Sequence, residues 1–276
     1  SHKQSAMLCY DKHLARYSWR DYAGGPGGGT GMPYQGLSLE GQTALVTGSG
    51  RGIGAALAVG LAQAGAAVAV SDRPDRLGLA EETKYKVEAE GGKSGVYSLD
   101  VLDISGIPNA IDRVVEDFGR LDILVNNAGY LPKNAHWLEN PIEDWHKVIN
   151  VNLSGEFYCA RAVANQMMER REGRIINISS SAFRHGGVPG GGGVSYTASK
   201  AGVVGLTRSL AKALGPYKIT VNAIAPGPTL TPMTENWLPQ SQDKITQNIP
   251  LGRLGSPQDI ATLSYTHLTL PTILLV

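Results

Sequence analysis

Cysteine is nearly absent from this chain, with Cys9 and Cys159 the only two in 276 residues. Two thiols far apart make no disulfide framework and no metal-ligand spacing, so no metal site is expected and a reducing, cytoplasmic compartment fits. Charge of one sign is also lacking, with 25 basic residues against 24 acidic ones. That balance leaves no electrostatic footprint for nucleic acid or an anionic membrane. No apolar run approaches the ~20 residues of a membrane span, and Leu270–Val276 is far too short. No early segment joins a basic start to an apolar run and a cleavage site. What is plentiful is glycine, at 35 residues, much of it clustered.

The first 36 residues read differently from the rest. They are aperiodic and end in the low-complexity run Gly24–Gly31 (GGPGGGTG), which buries no core. A flexible or non-native extension is expected over 1–36, with Met32 a candidate start. From Gln42 short apolar runs alternate with helical patterns. Thr43–Thr47, Ala66–Ser71, Ser94–Asp100, Leu121–Asn126, Arg174–Ser179 and Ile219–Ala225 read as strands. Ile53–Ala64, Leu77–Ala89, Ile104–Phe118, Ile142–Arg171 and Tyr196–Leu214 read as helices. Strands that are apolar throughout, alternating with helices, predict a parallel α/β sheet covered on both faces.

Thr47-Gly48-Ser49-Gly50-Arg51-Gly52-Ile53-Gly54 joins the first strand to the first helix. Glycines there let the backbone approach a pyrophosphate, and the helix start offers free N–H groups to it. A tight turn without ligand is the plainer alternative. The strand-then-helix context favours the dinucleotide reading. Asp72 closes the second strand, 18 positions after Gly54. A carboxylate there accepts hydrogen bonds from a ribose diol, which predicts NAD and disfavours the 2′-phosphate of NADP. A helix cap is its plainer role. Arg51 and Arg73 stand close enough in sequence to pair with such a phosphate, so NADP stays open.

Tyr196 and Lys200 are four apart, on one face of a helix. An ammonium about 4 Å from a phenol at an effective dielectric near 20 is worth roughly 4 kcal/mol. That is about three pKa units, enough to bring tyrosine toward neutral-pH proton transfer. By itself such a pair is frequent by chance and usually a solvated helix pair. It follows the strand end Asn177-Ile178-Ser179-Ser180 in a chain that carries the glycine loop, and that combination is specific.

With TGSGRGIG at 47–54, Asp100-Val101, Asn126-Asn127-Ala128-Gly129, Val151-Asn152-Leu153, Ile178-Ser179-Ser180, Tyr196-x-x-x-Lys200 and Pro226-Gly227 with Thr231 in order, the chain resembles the short-chain dehydrogenase/reductase family. The resemblance lies with its single-domain oxidoreductase branch, which includes 3-oxoacyl-carrier-protein reductases, from about Leu37 to Ala261. It implies a doubly wound, three-layer Rossmann-type domain over 37–263 and a homodimer or homotetramer. Hydride would pass between nicotinamide and a secondary alcohol or ketone. Tyr196 would be the general acid or base, and Ser180, flanked by Ser179 and Ser181, would hold the substrate oxygen. Lys200 would bind the nicotinamide ribose and lower the pKa of Tyr196, and Asn152 would hold a relay water. Gly48, Ser49, Arg51, Gly52, Ile53, Gly54, Asp72 and Arg73 would hold the adenosine and pyrophosphate side. Asp100 would reach the adenine with Val101 packed nearby. Asn126, Ala128 and Gly129 would line the cofactor, and Pro226, Gly227, Thr229 and Thr231 would border the nicotinamide. Asn126 serves equally well as a strand pin, and Pro226-Gly227 as a turn. His185 is expected to face solvent, and Trp137, Trp145 and Trp237 to pack or wall a pocket.

Two departures from the family stand out. Ser180 and Tyr196 are 16 apart, wider than the family's usual spacing, and the excess falls in the glycine-rich run 186–193, expected to shape substrate entry. After Ala261 the family continues to a last strand near a Val-Asp-Gly-Gly segment. Here Ser264–Thr272 reads instead like a translated adapter, so residues 264–276 are expected to be a non-native tail, with the last strand missing. Two other readings stay open: an NADPH-linked 3-oxoacyl-carrier-protein reductase, and a catalytically silent dinucleotide sensor.

Overall fold

A computed structural model describes residues 38–132, 136–187 and 193–267, with side chains through Thr262. The expected extension over 1–36, the glycines at 190–192 and the end of the tail from 268 onward lie outside the described residues. Six strands form one sheet: β1 (Thr43–Val46), β2 (Ala67–Asp72), β3 (Ser94–Ser98), β4 (Ile123–Asn126), β5 (Gly173–Ile178) and β6 (Ile219–Ile224). All neighbours are parallel, in the order β3-β2-β1-β4-β5-β6. The long helices are α1 (Gly52–Gln63), α2 (Leu77–Ala89), α3 (Gly106–Phe118), α4 (Ile142–Ile149), α5 (Gly155–Arg170), α6 (Ala182–His185, a single turn), α7 (Val194–Leu214), α8 (Gln242–Thr246, also short) and α9 (Pro257–His267).

The strand pattern explains the layers. Successive residues on a strand point to opposite faces, and here both faces are apolar. Ala44 and Val46 of β1 pack with Leu57 and Leu61 of α1 and Val87 of α2. Leu45, between them, packs on the other face with Ile111 of α3 and Val163 and Met167 of α5. α9 closes the first face: Ile260 joins that cluster, and a Cβ on Gly60 of α1 would meet Ala261 Cβ at 3.3 Å. The backbone of α9 runs through His267, four residues into the expected tail.

The long helix expected over 142–171 is interrupted. A π-helical turn at Asn150–Ser154 separates α4 from α5. The inserted turn is invisible to apolar periodicity, and such turns concentrate at functional sites. At the N-terminal end of the strands Asp122 is fully buried. It accepts from Thr43 N at 2.9 Å and from Arg120 Nε at 2.7 and 2.8 Å, which stitches β1 to the start of β4.

Candidate active site

The C-terminal edge of the sheet gathers the motifs. β1 sits between β2 and β4, and the chain leaves β1 one way and reaches β4 the other, so a crevice opens at this switch point. The glycine loop lies there. Gly48 has φ +62, a left-handed conformation, and a Cβ on it would stand 2.8 Å from Ala128 Cα. A Cβ on Gly54 would collide with Asn127 Nδ2 and with Gly48 O. The loop is therefore pressed against the Asn126–Gly129 segment and has room only for glycine at these positions. α1 begins without a side-chain cap and without an acidic residue in its first turn. Its first N–H groups thus keep their partial positive charge for an anion, which fits a pyrophosphate.

At the end of β2, Asp72 is buried and accepts from Gly50 N at 3.1 Å and Arg73 N at 2.9 Å. It caps no helix: the 3-10 turn Pro74–Arg76 starts at Arg73 without a side-chain cap bond. Asp72 instead ties the end of β2 to the glycine loop. Arg73 is drawn to Asp75 at 2.8 Å, and Arg51 is exposed. The Ser49 hydroxyl turns inward, donating to Val46 O at 2.8 Å. Ile53, half-buried at the start of α1, packs against the apolar cluster beneath the loop. Asp100 accepts from Leu102 N at 2.9 Å. Val101 is buried, and a Cβ on Gly155 would stand 2.8 Å from it, so it packs on α5.

On the other side of the crevice the links are between side chains. Asn126 donates to Asn177 Oδ1 at 2.9 Å and to Glu156 O at 3.2 Å, pinning β4 to β5 and α5. Its own Oδ1 is buried with no partner among the described residues. Asn152, fully buried in the π turn, clamps the backbone of Tyr130: Oδ1 accepts from Tyr130 N at 2.7 Å, and Nδ2 donates to Tyr130 O at 2.9 Å. Nδ2 also donates to Ser199 Oγ at 3.2 Å. The side-chain amide of Asn152 is thus engaged by protein. Gly129 lies beside it, a Cβ there standing 3.7 Å from Asn152 Oδ1.

The three serines divide cleanly. Ser179 is buried and donates to Lys200 O at 2.7 Å. Ser181 heads α6, its N–H donating to Pro226 O at 2.9 Å. Ser180 is half-buried and accepts from Ala182 N at 3.2 Å. Tyr196 is half-buried one turn before Lys200 on α7. Lys200 is buried, and its Nζ donates to Ile178 O at 2.5 Å and to Glu156 Oε1 at 3.3 Å. Burial pushes the Glu156 carboxyl up to about 8, against the lowering pull of Lys200.

The segment after β6 folds back over the glycine loop. A Cβ on Gly52 would stand 3.7 Å from Thr231 Cβ. Thr231 and Thr229 are buried, and Thr229 Oγ1 donates to Gly227 O at 2.9 Å. Pro226 is buried and Gly227 exposed. His185 is exposed, as expected. The tryptophans need correction: Trp137 is 53% exposed and Trp145 39%, because α4 and the loop before it turn those rings outward, and only Trp237 is half-buried.

Sequence reasoning missed four residues. Asn127 donates through Nδ2 to Thr47 O and Gly48 O at 2.9 and 3.0 Å, holding the glycine loop. Thr83 Oγ1 reaches Gly50 O at 3.2 Å from α2. Ser199 and Glu156 back Asn152 and Lys200. A buried acid four residues after Asn152 was the available signal for Glu156. No cluster of three or more metal-ligating side chains occurs among the described residues. Among them, no helix is long and apolar enough to cross a membrane.

Comparison with known proteins agrees with this architecture. Residues 42–242 match the family model for short chain dehydrogenases. The chain is 41% identical over 229 residues to the 3-oxoacyl-[acyl-carrier-protein] reductase FabG of Thermotoga maritima, covering 82% of this chain and 89% of that protein. Among solved structures, a short-chain dehydrogenase/reductase from Mycobacterium marinum superposes with TM-score 0.79 at 32% identity, over 84% of this chain and 90% of that one. A 7α-hydroxysteroid dehydrogenase solved with NADH and 7-oxo glycochenodeoxycholic acid gives 0.78 at 32% identity, over 84% and 89%. The chain therefore belongs to the short-chain dehydrogenase/reductase family and is an NAD(P)-dependent oxidoreductase acting on CH–OH groups.

Proposed function

We propose that this chain is an NAD-linked dehydrogenase of a secondary alcohol, or reductase of the matching ketone, with Tyr196 as its proton-transfer group. The bound nicotinamide supplies or accepts the hydride. Tyr196 gives a proton to the substrate oxygen as the carbonyl is reduced, or takes it as the alcohol is oxidised. Ser180 donates its hydroxyl to the same oxygen and orients the carbonyl. Lys200 holds the nicotinamide ribose and favours the phenolate of Tyr196 by its charge. Asn152 keeps the π turn and the Tyr130 backbone in place beside them, and the water-holding role falls to the backbone of that turn. The adenosine side is held by the glycine loop, Asn127 and Asp72.

The observation that carries this reading is the knot at the end of β5. Lys200 is tied to Ile178 O, and Ser179 is tied to Lys200 O. Those bonds lock α7 to the strand end, with Tyr196 and Ser180 next along each. NAD is supported by Asp72, whose carboxylate lines the loop where a 2′-phosphate would be repelled. A cytoplasmic enzyme is supported by the scarcity of cysteine. A homodimer or homotetramer is supported by exposed Phe157 on α5 and Trp145 on α4.

A second reading, an NADPH-linked 3-oxoacyl-carrier-protein reductase, is favoured by the Thermotoga maritima relative and by exposed Arg51 at the start of α1. Following nicotinamide absorbance with acetoacetyl thioesters and with simple secondary ketones separates the two. Replacing Tyr196 by Phe is expected to lower kcat about a thousandfold on whichever substrate works, while dinucleotide affinity holds. Turnover within a few-fold of wild type would overturn the assignment.

A further inference from the structure

The proton machinery just described ends at Lys200, yet Lys200 has a buried acid behind it. Glu156 is 2% exposed and lies on α5, four residues after Asn152. Its Oε1 accepts from Lys200 Nζ, while its Oε2 is buried with no partner among the described residues. A carboxylate left half-satisfied in the interior is costly unless the site uses it. A threonine or valine would fill this position on the helix without that cost. Among the described residues, the charged partner of Glu156 is Lys200.

We propose that Glu156 is a positioning residue that sets both the placement of the Lys200 ammonium and the pH range in which Tyr196 works. This rests on the reading of Tyr196 and Lys200 given above. An ammonium has three donors. Ile178 O and Glu156 Oε1 take two of them from inside the protein, which leaves one for the ligand side. The charge on Glu156 also controls how strongly Lys200 acts on Tyr196. While Glu156 is protonated, the lysine charge is undamped and favours the phenolate. Once Glu156 ionises, its negative charge opposes the lysine and weakens the hold of that charge on the phenolate.

The titratable groups facing Glu156 are Lys200 from α7 and Cys159 from its own helix, whose thiol is pushed up to about 12 by burial and then by Glu156. Among the described residues, β4 brings the neutral amide of Asn126, which donates to Glu156 O and to Asn177 of β5. Ionisation of Glu156 therefore falls near pH 8, with no second nearby acid in that range.

The stability consequence has a definite sign. The folded carboxyl titrates above its ordinary 4.5. A raised acid contributes full stability below the unfolded pKa and loses it as pH rises through the folded one, between about 4.5 and about 8.

Two measurements on Glu156→Gln test the proposal. The first is the pH dependence of kcat/KM for alcohol oxidation. Below about pH 8, where Glu156 is still protonated, wild type and variant should share one rising limb; above it the wild-type limb should lag and reach its plateau up to about one pH unit later than the variant, which stays neutral throughout. The second is Tm of the ligand-free protein from about pH 5 to about pH 9, where wild type should lose stability more steeply than the variant. If the Gln variant does not fold, Glu156→Thr carries the same readouts. Limbs that coincide above about pH 8 as well, together with coincident Tm slopes, would overturn the proposal. A wild type that turns over no alcohol or ketone would refute the dehydrogenase reading instead, and the Tm comparison would still judge Glu156.

Discussion

Asp122 and Glu156 are acids buried toward opposite ends of the strands, and the two are held differently; Asp72, also buried at the C-terminal end, has both oxygens engaged by backbone N–H groups. At the N-terminal end Asp122 is 0% exposed, and both of its oxygens are used: Thr43 N and the Arg120 guanidinium satisfy them, and Arg120 opens to solvent. Toward the C-terminal end Glu156 is also buried, but one oxygen has no partner among the described residues and its counter-ion is itself buried. Asn126, at the same end, also carries an unpartnered buried oxygen. A fully satisfied buried charge is a fastening. Unsatisfied buried groups concentrate where a protein keeps polar capacity for something else. In a doubly wound sheet that place is the C-terminal edge.

Substitutions at the two ends should separate stability from function, with the largest effect at the fastened end. Asp122→Ala removes the acceptor of a buried N–H and strands Arg120, which solvent partly compensates. A loss of about 3 kcal/mol in denaturant unfolding is expected, with kcat per folded molecule within twofold of wild type. Loss of kcat in the folded variant would break the comparison. Asn152→Ala at the functional end removes two bonds to Tyr130 and one to Ser199. Its stability should fall by less, about 2 kcal/mol, and kcat should fall at least tenfold because the π turn and Tyr130 lose their clamp. Thermal melts beside steady-state kinetics check this. Asp72→Ala should act least on the fold, because it removes the acceptor of two neutral backbone donors and strands no charged side chain. Its signature is specificity: NADH affinity should weaken about tenfold, roughly 1.4 kcal/mol, with NADPH weakened less.

The parallel α/β sheet and the glycine loop were legible because each follows from local pattern: apolar strand runs, helices between them, and glycines at fixed offsets. The strand boundaries shifted by a residue or two, as hydrogen bonding rather than hydropathy ends a strand. The links that make the site were less legible. Asn127 reaches Thr47 across 80 positions, and Glu156 reaches Lys200 across 44. Nothing in a local window joins such pairs. The π turn at Asn150–Ser154 was hidden for another reason, since one extra residue in a helix leaves the surrounding apolar stripe intact. Trp137 and Trp145 misled because hydrophobicity alone does not say whether a ring in a loop or on a short helix turns outward.

The most direct test of this division is amide hydrogen exchange of the whole chain with and without saturating NADH. The account predicts slowed exchange at the C-terminal edge, in residues 48–54, 127–130 and 226–231, and weaker slowing with NADPH at equal concentration. The segments around Arg120 and Asp122 should exchange unchanged. Protection centred on that opposite edge, or stronger protection by NADPH across the glycine loop, would contradict it.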